Sequence, residues 1–364
     1  MPPTTDPRVA SLARLLVERC LDVQPGWQVS VRSTPLARPL LEELARTIGR
    51  RGAYFLPRVH WGPDRFRVDV DWALEAPLEL LEELPPIERH ALATEDARLT
   101  IRAPEDTRAG ADLPAERRAL LQKAMEPAAR RARALEVRWA VVQYPTEASA
   151  AEAGMTLAEY EDFVYGACLL DWEAEEQRML RVKERFDAAE RVRIVGAGTD
   201  LTVGIAGRNG VVSSGLRNMP DGEVFYSPVE DTADGEITFG EFPAVYLGRD
   251  VEGARLVFRE GRIVEATASG GEDFLRQMIA TDDGAARLGE LGLGCNPRIT
   301  RFTHNVLFDE KIAGTIHLAL GGSYTYAGGR NESAIHWDMV KDLRPGGEIH
   351  ADGDVVQRDG TWLI

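Results

Sequence analysis

Cysteine is scarce in this 364-residue chain: there are three, Cys20, Cys168 and Cys295, with no paired or zinc-finger spacing. That excludes a disulfide framework and a thiolate metal site. Basic charge is also short, 43 Lys and Arg against 59 Asp and Glu, a formal net charge of −16. A field of that sign repels phosphate backbones and anionic lipid, so nucleic-acid and membrane-surface binding are disfavoured. Lysine is rarer still, 4 against 39 arginines. No run approaches the roughly 18 apolar residues of a spanning helix. The stretch Met1–Asp6 has no basic region leading into an apolar one, so the expectation is a soluble, cytoplasmic protein.

Glycine is missing from one half of the chain. Residues 1–189 hold 7 of the 34 glycines and residues 190–364 hold 27. Glycine frees φ for tight turns and bulges. The spacing therefore predicts an α/β N-terminal domain over 1–189 and an α+β, mostly antiparallel β domain over 190–364. In the first, helical patterns at Val9–Val17, 35–48 and 115–135 alternate with extended ones at Trp27–Val31, Ala53–Leu56, Ala97–Ile101 and Arg138–Val142. Such alternation implies βαβ units and a mostly parallel sheet. One long helical region, about 157–189, closes that half. In the second, Leu201–Ile205 and Glu223–Tyr226 alternate with period two, Arg255–Val264 reads as a hairpin around Glu260-Gly261, and 271–281 as a helix.

Val195-Gly196-Ala197-Gly198 suggests a dinucleotide-binding turn, but position 201 is Leu and a strand follows. The fingerprint needs its third glycine and a helix N-terminus, so a sheet turn is the better account. Cys168 lies in an apolar helical stretch and reads as core.

Four of the six histidines fall in the last 61 residues. His336 and Asp338 stand two apart in the extended Ser333–Val340 segment, and i, i+2 side chains share a strand face. His317 sits alone in Thr315-Ile316-His317-Leu318-Ala319-Leu320. Burying such groups is costly without partners. Glu223 begins a strand straight after a turn, Glu290 lies in Leu288-Gly289-Glu290-Leu291-Gly292-Leu293-Gly294, and Glu310 closes Leu307-Phe308-Asp309-Glu310. From the residues alone, a hydrogen-bonded core or solvated role and a divalent-metal site both stand open. His60, His90 and His350 have ordinary settings.

Six ordered blocks resemble the thermophilic aminopeptidases of the aminopeptidase T type: Gly198–Leu201, Asn218–Phe225, Leu288–Glu290, Leu307–Ile312, Ile316–Gly321 and Ile335–Asp338. The resemblance implies metal ligands at Glu223, Glu290, His317, His336 and Asp338, and a further glutamate near the metals at Glu310. It also implies a hydrogen bond from Tyr324 to the reacting carbonyl, a β-rich catalytic domain and a homodimer. Five ligands, three of them carboxylates, suit two divalent ions about 3.5–4 Å apart, Zn, Co, Mn or Mg, with Glu290 bridging. The expected activity is release of the first residue from peptides with a free N-terminus. Metal-activated water attacks the first peptide carbonyl, Tyr324 holds the oxyanion, and Glu223 or Glu310 passes the proton to the leaving amine. Two rivals use the same chain. His317, His336 and Asp338 alone form the 2-His-1-carboxylate set of a ring-cleaving Fe(II) dioxygenase. A catalytically silent binding protein is the other.

Overall fold

The computed structural model describes residues 6–61, 69–110, 112–133 and 136–364. The chain divides into two compact units, Met1–Leu169 with Gly215–Pro220, and Leu170–Ser214 with Asp221–Ile364.

The first unit is built on a parallel sheet in the order Tyr54–Val59, Gln28–Ser33, Ala97–Arg102, Arg138–Gln143, with the short strand Asn218–Met219 added beside Arg138–Gln143. The strand Gln28–Ser33 is buried along almost its whole length, as a strand covered on both faces must be. The helix Arg38–Arg50 buries Leu40, Leu44 and Ile48, one i, i+4 stripe. The helix expected over 115–135 runs Ala115–Arg133; its expected end at Leu135 lies outside the described residues.

The single helical region expected over 157–189 is two helices, Leu157–Cys168 and Trp172–Asp187. The break is local: Asp171 caps the second helix by accepting from the Ala174 amide at 3.1 Å. That second helix buries Met179, Val182 and Phe186 in the core of the β-rich unit. Its apolar stripe, spaced three and four residues apart, therefore moves the division of the chain from 189–190 to 169–170.

The second unit contains an eight-stranded sheet, all of it antiparallel, from Arg262–Thr267 at one edge to Thr361–Trp362 at the other. Ala197-Gly198 is the turn of its hairpin between Arg191–Gly196 and Thr199–Gly204, with Gly198 at φ 60°. A second antiparallel sheet has the order His336–Asp342, Thr315–Gly321, Leu288–Gly294, Glu223–Tyr226, Val211–Ser213. Leu291, Leu293, Ile316, Leu318, Leu320, Trp337 and Met339 of this sheet share one core with Ile194, Leu201, Val203, Ile237 and Phe258 of the other. Among the described residues no helix is long and apolar enough to cross a membrane.

Candidate metal centre

The face of the five-stranded sheet turned away from the shared core is built differently. Across its register, Glu290 stands opposite Ala319 and Ala319 opposite Asp338; Gly292 stands opposite His317, and Gly321 opposite His336. Glu223 is paired with Gly294. Cross-strand partners, and residues two apart, project to the same side. Glu223, Glu290, His317, His336 and Asp338 thus share one face, separated by glycine and alanine.

Leu288 and Glu290, two apart, would also share a face in a regular strand. Instead the register shifts between them, so that Leu288 joins the core while Glu290 turns to the polar face. The extra residue is Gly289, on which a β carbon would meet the carbonyl oxygens of Gly322 and Gly321 at 2.3 and 2.4 Å. A bulge of this kind re-aims the side chain that follows it.

Glu290 spans the two imidazoles. One carboxylate oxygen lies 3.3 Å from His317 Nε2 and the other 3.2 Å from His336 Nε2. His317 Nε2 also lies 3.6 Å from Glu223 Oε2, and His336 Nε2 3.6 Å from Asp338 Oδ1. The far ring nitrogens are both committed to main-chain carbonyls, His317 Nδ1 to Glu310 at 3.0 Å and His336 Nδ1 to Gly322 at 2.7 Å. A carbonyl can only accept, so each Nδ1 carries a hydrogen and each Nε2 points into the site. Tyr324 Oη reaches to 3.5 Å from His336 Nε2, and its ring packs on Phe225.

Burial raises the Glu223 carboxyl to about 8, a shift that Lys311 opposes. Burial acts the same way on Glu290 but is outweighed by the hydrogen bonds from His317 and His336, which bring it down to about 2. Burial disfavours charge on the imidazoles, yet Glu290 with Glu223 raises His317 to about 10, and Asp338 with Glu290 raises His336 to about 10. Asp338 and the Tyr324 hydroxyl are both raised by burial. Burial and the opposed charges of neighbouring groups thus act on all of these side chains together.

Two sets of three ligand atoms lie close enough to hold an ion, within 4.8 Å of one another: Glu223, Glu310 and His317, and Glu290, His336 and Asp338. Glu223 Oε2 and Asp338 Oδ1 are buried and accept no hydrogen bond. Buried carboxylate oxygens without donors are costly, and a divalent cation satisfies them. The donor set, imidazole and carboxylate, suits Zn, Co or Mn.

Every side chain that the sequence singled out from residue 223 to 338 is therefore gathered at one place, with Glu310 beside Glu223 and Tyr324 at the His336 end. His350 is elsewhere, 2.9 Å from Glu348, and His304 is exposed at φ 58° against Phe302. Sequence reasoning did not find Lys311, which is wholly buried with Nζ 3.7 Å from Glu223 Oε1 and bonded to Glu310. It also passed over Asp309, which accepts from the amide and hydroxyl of Thr303 at 2.7 and 2.9 Å and so fixes the turn that delivers Glu310. A charged run, Asp309-Glu310-Lys311, reads as solvated surface.

The thermophilic metalloprotease (M29) family model matches residues 5–362. Aminopeptidase AmpS of Bacillus subtilis is 29% identical over 98% of this chain and 98% of its own length. Aminopeptidase T of Thermus thermophilus is 29% identical over 97% of this chain and 98% of its own. The solved structure of wild-type AmpT from Thermus thermophilus superposes with a TM-score of 0.82 at 25% identity, covering 98% of this chain and 99% of that one. A 2,5-dihydroxypyridine dioxygenase from Pseudomonas putida reaches a TM-score of 0.60 at 14% identity, covering 99% of this chain and 98% of that one, a likeness of fold alone.

Proposed function

This chain belongs to the M29 thermophilic metalloprotease family and is a metal-dependent aminopeptidase; we propose that it works with two divalent ions held by the residues gathered on the polar sheet face. One ion would be held by Glu223 and His317 with Glu310 beside them, the other by Glu290, His336 and Asp338. Glu290 would serve both, since its two oxygens face different imidazoles at 3.3 and 3.2 Å. That split carboxylate is the observation that carries the reading.

When bound, such ions polarise the scissile carbonyl and lower the pKa of a coordinated water toward ~7. The chain supplies the rest. The two main-chain carbonyls lock the imidazoles with Nε2 inward. Tyr324, whose hydroxyl burial keeps protonated, donates a hydrogen bond to the oxygen on which charge develops. Glu310, more exposed than Glu223 at 15% against 7% of its side chain, moves the proton to the leaving amine. Trimming from the free α-amino end and a homodimeric assembly rest on the family resemblance.

The test compares leucyl peptides with free and acetylated N-termini, using protein stripped of metal and then reloaded. Cleavage of the free peptide alone, lost on stripping and restored by Zn, Co or Mn, supports the proposal. Cleavage that survives complete stripping would refute it.

A further inference from the structure

The chain has four lysines against 39 arginines, and one of the four is placed where no solvent reaches it, inside the centre. Lys311 Nζ bonds the Glu310 carboxylate and faces Glu223 Oε1 at 3.7 Å. The other oxygen of that carboxylate, Glu223 Oε2, has no hydrogen-bond donor and points toward His317 Nε2. The two ends of Glu223 are thus treated differently, one turned to a fixed cation of the protein and one left open.

The frame that holds this arrangement is stiff. Asn296, 1% exposed, donates from its amide nitrogen to the Lys311 carbonyl at 3.0 Å and from its side chain to the Asp221 carbonyl at 2.7 Å. Gly222, between Asp221 and Glu223, approaches Asn296 so closely that a β carbon would lie 2.9 Å from the Asn296 Cβ. Lys311 and the start of the Glu223 strand are therefore tied through a single buried residue, by its main-chain N–H on one side and its side chain on the other. A compact ammonium with three donors fits between two carboxylates where a planar guanidinium would need a wider slot.

We infer that Lys311 is a positioning residue that reserves Glu223 Oε1, so that Glu223 offers the metal centre only Oε2 and binds as a monodentate ligand. This rests on Glu223 being a ligand, as proposed above. Without the ammonium, both oxygens are free to turn to the ion and its coordination number rises.

A crystal structure of the Co-loaded wild-type protein, together with the visible spectrum of Co-loaded Lys311→Met and Lys311→Arg, tests it. The expected structure has Glu223 on the ion through Oε2 alone, with Lys311 Nζ on Oε1. The expected spectrum of Lys311→Met is weaker in the visible bands at unchanged Co content, as higher coordination gives, with Lys311→Arg intermediate. Glu223 bound through Oε1 or through both oxygens in the wild type, or a Lys311→Met spectrum superimposable on wild type, overturns the inference while leaving the centre intact. Co present but remote from Glu223 would instead overturn the ligand assignment beneath it. If Lys311→Met does not fold, the wild-type structure alone decides.

Discussion

Gly292 stands directly across the sheet from His317, and a β carbon placed on it would lie 1.9 Å from the imidazole Cε1. The ring occupies the volume that any other residue's first side-chain atom would fill. Gly292→Ala is predicted to push the imidazole off its carbonyl hydrogen bond and out of the site. Metal affinity should fall by ~10–100-fold, the cost of disturbing an outer partner of a ligand. Circular dichroism should show an intact fold, since the strand itself tolerates alanine. Full metal content and full activity in this variant would remove the steric argument.

Glu290 is the first stabilising partner of the protonated His317 ring and, after Asp338, of the His336 ring. In metal-free protein both rings should titrate near 10, and in Glu290→Gln both should fall, though not to the ordinary value of about 6.5, because Asp338 still faces His336 and Glu223 still faces His317. Nitrogen-detected NMR of labelled imidazoles reads this directly. Rings that titrate identically in the two proteins would show that Glu290 is not their partner.

The pH dependence of the metal-free form has a definite sign. His317 and His336 rise from 6.5 to about 10 on folding, and Glu223 from 4.5 to about 8. Their native forms hold protons that the unfolded chain has already released, so stability from the imidazoles is complete below 6.5 and lost as pH rises toward 10. Glu223 adds a further loss between 4.5 and 8. Glu290, lowered to about 2, acts oppositely, and its contribution disappears only as pH falls from 4.5 toward 2. Ion binding displaces those protons, so the gain in Tm on adding Zn should grow from pH 6 to 9. Paired calorimetric scans would show it; a gain that shrinks over that range contradicts the proton count.

Much of the centre was legible because polar residues in apolar strands stand out: Glu290 among leucines and glycines, His317 between isoleucine and leucine, His336 with Asp338 two residues on. What hid the remainder is equally physical. Lys311 follows Asp309 and Glu310, and three charges in a row carry no sign that the turn is buried. The bulge at Gly289 shows in the sequence only as a three-residue step from Leu288 to Leu291, which a strand beginning at Glu290 would give equally well. The helical region 157–189 kept a plausible periodicity through the break at Leu169–Asp171, so the passage of its second half into the β-rich unit was invisible.

Tyr324 meets the site at His336, with its hydroxyl 3.5 Å from Nε2 and its ring tilted against the imidazole at 5.2 Å between centroids. Tyr324→Phe keeps the ring tilted against Phe225 and His336 and removes one donor. The expected loss is in kcat, on the order of 10²–10³, the usual effect of deleting an oxyanion donor. KM and metal content should stay near wild type. A change confined to KM would make the tyrosine a binding rather than a transition-state contact.

The most direct test of the dinuclear centre is elemental analysis of freshly purified protein, metals counted per chain and identified together. About two Zn, Co or Mn ions per wild-type chain, with marked loss in Glu290→Gln, is the predicted result. One iron per chain, unaffected by Glu290→Gln, would contradict a centre bridged by that carboxylate.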